Sequence, residues 1–119
     1  MKTTQRKVIE AYGTLNQMGR KVSGQTAFAL FRFKQQQLKP VVEFQGEEEV
    51  KLVDKFGGKI TEEGRIIFDD DQKRAEFLKE QRKLGEMECE VETIEIRTDE
   101  VPEITMQEIE TLDGLIIFK

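Results

Sequence analysis

Apolar residues recur at three- and four-residue spacings near the start of the chain, which predicts a first helix. Thr3 or Thr4 can cap this helix, and Gly19 can end it. Its apolar residues fall on one face: Val8, Ala11, Tyr12, Leu15 and Met18. We therefore expect one side of this helix to be buried in a core.

A second apolar stripe predicts a long helix from Gly24 to Phe56, capped by Ser23 and ended by two glycines. A continuous helix of this length would extend about 50 Å, so the shorter first helix cannot cover it alone. Pro40 removes a backbone hydrogen bond and Gly46 weakens the helix nearby. A kink or a break over residues 39–46 therefore stands as an alternative to a continuous helix.

The stretch KITEEGRIIF predicts a β-hairpin, with its turn closed by Gly64. Asp69 then caps a third helix, with Gln72 at the capping-box position. We expect the apolar residues of this helix to point inward: Ala75, Leu78 and Leu84. This third helix is the predicted partner for the uncovered end of the second.

Alternation of apolar and acidic residues in MECEVETIEI predicts a strand. The odd step from Val91 to Ile94 would move the apolar residues to the other face, so we expect a bulge near Glu92 and Thr93. Thr105 as N-cap and Glu108 reaching back to it predict a short helix, stapled by Ile104 and Ile109. The segment LIIF then predicts a final, buried strand that contains Ile116.

Together these elements predict one α+β domain over residues 1–119, with a helical part over 1–56 and a mixed α/β part over 57–119. The strands are expected to form a small, mostly antiparallel sheet. No segment approaches the roughly 20 apolar residues that span a bilayer. The lone cysteine and the lack of an apolar leader favour a reducing, cytoplasmic setting.

The net charge of −5 conceals a strong gradient along the chain. Residues 1–40 hold eight Lys or Arg against one acid, whereas residues 86–119 hold two against eleven. The two ends could attract each other within the protein or face a partner. The candidate basic surface comprises Arg6, Lys7, Arg20, Lys21, Arg32 and Lys34, and the candidate acidic surface comprises Glu88, Glu90, Glu92 and Glu95.

Nucleic acid is a poor candidate for the basic surface, although Phe28, Phe31 and Phe33 are interleaved with its cations. The sequence pI of about 5.0 and the acidic remainder would repel phosphates. We assign Phe28 and Phe31 to the core face of the long helix.

Residues that could support catalysis or metal binding are scarce. The chain has no histidine, and its single serine, Ser23, lies outside any nucleophile motif. Cys89 falls on the apolar side of a strand, where a thiol packs as a small hydrophobe. Neither GGKIT nor the acids at 69–71 match a phosphate loop or a calcium loop. We therefore expect no catalytic residues, no metal, no cofactor and no enzymatic activity.

The order of elements, with the segments VETIEI and LDGLIIF, resembles a family of short phage and prophage proteins of unknown function. The resemblance spans nearly the whole chain. It implies a viral protein that acts in the cytoplasm of a bacterial host, and it brings no catalytic motif.

The expected function is that of a non-enzymatic interaction protein that binds and modulates a host factor such as a defence component. An assembly helper for a tail or capsid protein and a protein that sequesters a small anionic ligand remain alternatives, the last with Arg97 as one of the donors. We also expect a homo-oligomer, because five apolar residues of the long helix cannot all turn inward: Phe31, Phe33, Phe44, Val50 and Leu52.

Overall fold

The computed structural model describes residues 1–22 and 24–119, apart from the side chain of Arg20. It contains five α-helices in the described residues: α1 (Gln5–Gln17), α2 (Gly24–Phe33), α3 (Lys39–Lys55), α4 (Asp71–Glu86) and α5 (Met106–Leu112). Six short strands accompany them: β1 (Lys2–Thr4), β2 (Lys59–Ile60), β3 (Ile66–Ile67), β4 (Glu88–Glu90), β5 (Ile94–Ile96) and β6 (Ile116–Phe118). The predicted α+β class is confirmed, and the predicted cap at Ser23 lies outside the described residues.

Helix α1 begins where the sequence predicts. The Thr4 hydroxyl accepts a hydrogen bond from the Lys7 backbone N–H at 3.2 Å, which is the role of an N-cap. Val8, Ala11 and Leu15 are buried on one face, and Met18 is buried in the 3₁₀ turn that follows. The regular spacing of these residues places this whole face in the main core.

The long helix is continuous from α2 to α3 but contains a π-helical turn at Lys34–Leu38. In this turn the Lys39 backbone N–H donates to the Lys34 carbonyl, five residues back. Pro40 follows directly, and a proline lacks an N–H and crowds the carbonyl four residues before it. The wider turn accommodates these effects without a break, and Gly46 lies within an uninterrupted α3.

Helix α4 packs against α3, as expected, and it also contacts α1. Its N-cap is Asp70, which accepts from the Gln72 backbone N–H at 2.8 Å, so the predicted cap at Asp69 was wrong by one residue. The inward residues also differ, because Phe77 is buried whereas Ala75 and Leu78 are exposed.

The strands form three separate two-stranded sheets in the described residues rather than one. The antiparallel hairpin of β2 and β3 closes at Gly64, whose φ of 83° requires glycine-like freedom. Strand β1, which the sequence did not predict, pairs antiparallel with β4. Strands β5 and β6 pair in parallel.

The predicted bulge near Glu92 and Thr93 is absent because the chain changes sheets at that point. Strand β4 pairs with β1, whereas β5 pairs with β6, and residues 91–93 belong to neither sheet. Val91 and Ile96 are both buried although Met87 is exposed. The apolar residues change face after Val91 because the chain leaves the sheet of β4 and enters the sheet of β5.

The molecule is elongated, with extents of 51 × 29 × 24 Å and a radius of gyration of 16.7 Å. A compact domain of this length would have a radius of about 14 Å. The main core lies at the α1, α2 and α5 end, and α3, α4 and the hairpin extend away from it. None of the described helices combines the length and the apolar character needed to cross a membrane.

Candidate functional site

Two phenylalanines on α2 stand out on the surface. Phe28 is 62% exposed and Phe31 is 51% exposed, so the prediction that both belong to the core face was wrong. Leu30 and Phe33, on the other side of the same helix, are buried instead. Residues three apart share a helical face, so Phe28 and Phe31 form one exposed aromatic patch.

Two cations border this patch. The Arg32 guanidinium carbon lies 5.8 Å from the centroid of the Phe28 ring, and Lys34 Nζ lies 5.7 Å from that of Phe31. Lys34 also donates to Asn16 Oδ1 at 2.8 Å. Neither cation forms an ion pair within the part of the chain that the structure describes. We call the four residues Phe28, Phe31, Arg32 and Lys34 the aromatic–basic face.

A cavity of about 120 Å³ lies beside this face, between the end of α1 and the start of α2. Among the described residues, one lining side chain is polar, that of Lys34; the lining comprises Leu15, Met18, Gly19, Val22, Ala27, Leu30, Phe31 and Lys34. Phe31 thus belongs to both the exposed patch and the cavity wall. The arrangement offers an apolar recess with a positive charge at its rim.

The other predicted basic residues contact the acidic end of the same chain. Lys21 Nζ lies 3.0 Å from Glu108 Oε1, and Arg6 Nη2 lies 4.0 Å from Glu86 Oε1. Lys7 Nζ donates to the Glu110 carbonyl at 3.1 Å. Part of the charge gradient is therefore used for internal attraction, one of the two alternatives left open by the sequence. The side chain of Arg20 lies outside the described residues.

Glu108 is the best-held acid of this group. It accepts from the Thr105 backbone N–H at 2.9 Å, and its own N–H donates to the Thr105 hydroxyl at 3.1 Å, as the capping box predicts. Burial alone would raise the pKa of Glu108, but the hydrogen bonds from Thr105 and Lys21 outweigh it and lower that pKa. The carboxylate thus ties α5 to the end of α1.

The predicted acidic surface is divided. Glu88 and Glu90 lie on one face of β4, opposite Thr4 and Lys2 of β1. Glu92 follows the strand, and its backbone N–H donates to Gln37 Oε1 at 2.9 Å. Glu95 lies in a different sheet, and its carboxylate is 3.0 Å from Lys119 Nζ. All four side chains are exposed, but they do not form one continuous row.

Reactive chemistry is weak in the part of the chain that the structure describes. Cys89 is half-buried, and burial raises the pKa of its thiol, which favours the unreactive protonated form. Arg97, a predicted donor for a small anion, lies 2.8 Å from Asp99. No group of three potential ligands among the described residues could hold a metal ion.

Comparisons with protein-family models, with curated proteins and with solved structures find no match for this chain.

Sequence reasoning identified Arg32 and Lys34 but assigned their aromatic neighbours to the core. A signal was present in the pattern, because apolar residues occupy two sides of α2: Ala27, Phe28 and Phe31 on one side, Leu30 and Phe33 on the other. A helix that is apolar on two sides needs two partners. The structure provides α1 and the core on one side and leaves the second side exposed.

Proposed function

We propose that this is a non-enzymatic interaction protein that binds an acidic region of another protein through the aromatic–basic face. The observation that carries the proposal is the exposure of Phe28 and Phe31 beside Arg32 and Lys34. Aromatic residues and arginine are enriched among residues that dominate the affinity of protein interfaces. Their position on a regular helix also limits the conformational entropy lost on binding.

The charge of the face selects among partners. Arg32 and Lys34 have no carboxylate partner in the described ranges, so an acidic protein would supply the missing opposite charge. Two copies of this chain that met face to face would instead place like charges near each other. A different protein with an acidic, partly apolar surface therefore fits this face better than a second copy.

The resemblance of the sequence to phage and prophage proteins supports a bacterial setting. In that setting the proposed partner is a host factor, such as a component of a defence system, and the protein modulates it by binding. The alternative is a virion protein that is held until assembly, and the identity of the captured partner separates these two roles. Sequestration of a small anionic ligand would use the same cations but would not need exposed phenylalanines.

Affinity capture from a lysate of the bacterial host, followed by mass spectrometry, tests the proposal. The informative variant is Phe28→Ser/Phe31→Ser, and the matched control is Leu78→Ser/Met106→Ser, which removes two exposed apolar side chains from other helices. We expect the wild type and the control to capture the same acidic protein. The double phenylalanine variant should reduce its recovery by more than about tenfold, since each anchor contributes about 2 kcal/mol or more.

A second variant separates this proposal from the predicted acidic docking surface. Replacing Glu88, Glu90, Glu92 and Glu95 by glutamine alters none of the four residues of the aromatic–basic face, so capture should continue. Loss of the partner in this variant, with full recovery in the phenylalanine variant, would move the interface to the acidic residues and refute the proposal.

A further inference from the structure

The cavity beside the aromatic–basic face is large enough to accept one apolar side chain. Its volume is about 120 Å³, and its walls come from α1, from α2 and from Met18, Gly19 and Val22 between them. An apolar recess offers water few hydrogen-bonding partners, so an apolar group that enters it gains contacts and displaces poorly held water. Anchor residues of partner proteins commonly bind in pockets at the centre of an interface.

We infer that the cavity receives one side chain of leucine, methionine or phenylalanine from an acidic segment of the partner. The inference rests on the proposed function and specifies its ligand. Phe31 connects the two features, because it lines the cavity while half of its surface lies on the exposed face. The exposed Phe28 would then cover the apolar side chain of the segment next to the anchor.

The charges around the cavity determine the character of the segment. Lys34 lies at the rim, and its Nζ also lies 5.6 Å from the centroid of the Tyr12 ring, so it is oriented by contacts with uncharged groups. An incoming carboxylate can therefore reach it without first displacing an acid of this chain. Two carboxylates lie near α2: Glu92 lines a groove together with Arg32, and Glu100 accepts a hydrogen bond from Thr26 at 2.7 Å. Glu100 is the one that makes a hydrogen bond to the helix. The charge of Glu100 would weaken the binding of an anionic segment, so Glu100→Gln should strengthen that binding.

Small probes test the cavity without knowledge of the partner. We would titrate the protein with 4-phenylbutanoate, an apolar group that carries an anion, and record the methyl resonances of Leu15, Met18 and Leu30 by NMR. The control probe is 4-phenylbutylamine, which has the same apolar group and a positive charge at pH 7. We expect saturable shifts with the carboxylate at millimolar concentration and at least about threefold weaker binding of the amine.

A matched pair of variants locates the binding site. Ala27 lines the cavity and is half-buried, whereas Ala29 is exposed on another side of the same helix. Ala27→Leu should fill the cavity and weaken the carboxylate probe by about tenfold or more, since the apolar burial is lost. Ala29→Leu makes the same chemical change and should leave probe binding intact. Circular dichroism should show both variants folded.

Several results would overturn the inference. Three results would each show that the cavity does not bind an apolar group that carries an anion: no saturable shifts, equal binding of both probes, or undiminished binding of the carboxylate probe to Ala27→Leu. An oligomer that becomes monomeric in Ala27→Leu would assign the cavity to a second copy and would equally refute it.

The captured protein distinguishes this inference from the proposed function. If Phe28→Ser/Phe31→Ser loses the partner but Ala27→Leu retains it, the face binds without the cavity, and only the inference is wrong. If the probe binds but neither the wild type nor any variant captures a protein, both proposals are refuted. The cavity would then bind a small molecule, and the face would have no protein partner. Loss of the partner in both variants, with retention in Ala29→Leu, supports both.

Discussion

The capping box of α5 gives the most direct test of how a local sequence signal stabilises this fold. Thr105→Ala removes the hydroxyl that accepts the Glu108 backbone N–H at 3.1 Å. The carboxylate of Glu108 would still accept from the Thr105 N–H and from Lys21, so half of the cap survives. We therefore expect a loss of about 1 kcal/mol in the free energy of unfolding, the usual value for such a cap.

This loss of free energy corresponds to a change in melting temperature, which depends on the entropy of unfolding. At about 2.1 cal/mol/K per residue, a chain of 119 residues has an unfolding entropy of about 0.25 kcal/mol/K. A destabilisation of about 1 kcal/mol should then lower the melting temperature by about 4 °C. Differential scanning calorimetry with two or more scan rates resolves a change of this size.

Thr111→Ala is the matched control, because it makes the same substitution inside the same helix. The Thr111 hydroxyl donates to the Gln107 carbonyl, four residues back, an interaction that does not stabilise a helix. Alanine has the higher helix propensity, so this variant should be neutral or slightly more stable. Equal melting temperatures for Thr105→Ala and Thr111→Ala would refute the assignment of the cap.

Other outcomes follow from particular contacts and can be measured on purified protein. Because the folded pKa of Glu108 lies below its ordinary value of 4.5, the stability it contributes is present above that value and is lost as the pH falls through the folded pKa. Urea unfolding should therefore show that the difference in free energy of unfolding between wild type and Glu108→Gln becomes smaller at low pH. A difference that does not change with pH would contradict a contribution from the ionised Glu108. Gly58→Ala places a Cβ 2.5 Å from the Phe68 ring and should destabilise the protein by about 1–3 kcal/mol. Gly46→Ala meets open space within α3 and should stabilise the protein by about 1 kcal/mol. Thermal melts in which Gly58→Ala is not the less stable of the two variants would refute the packing argument. The exposed apolar side chains of α3, Phe44 and Val50, lie outside the aromatic–basic face and should support an oligomer. Light scattering at low micromolar concentration that gives 13.8 kDa would refute this expectation.

Features that depend on neighbouring residues could be predicted from the sequence. The caps at Thr4 and Thr105, the buried face of α1 and the hairpin turn at Gly64 each need only a few consecutive residues and a regular repeat. The same reasoning identified Arg32 and Lys34 as candidate surface cations. In these cases the local conformation is stabilised by hydrogen bonds between residues only a few positions apart in the sequence.

Features that depend on distant partners could be decided only by the tertiary structure. Strand β1 has three residues and no repeat of its own, and it becomes a strand because β4, which is distant in the sequence, pairs with it. The parallel pairing of β5 with β6 likewise depends on the connection through α5, which returns the chain to the side of β5.

The candidate site shows the same division between local pattern and tertiary packing. From the sequence, α2 has apolar residues on two sides, and either side could have entered the core. Burial follows from which side of α2 the main core covers, and Leu30 and Phe33 belong to that core. Phe28 and Phe31 are exposed for that reason, since a helical pattern specifies which residues share a face and tertiary packing determines which face is buried.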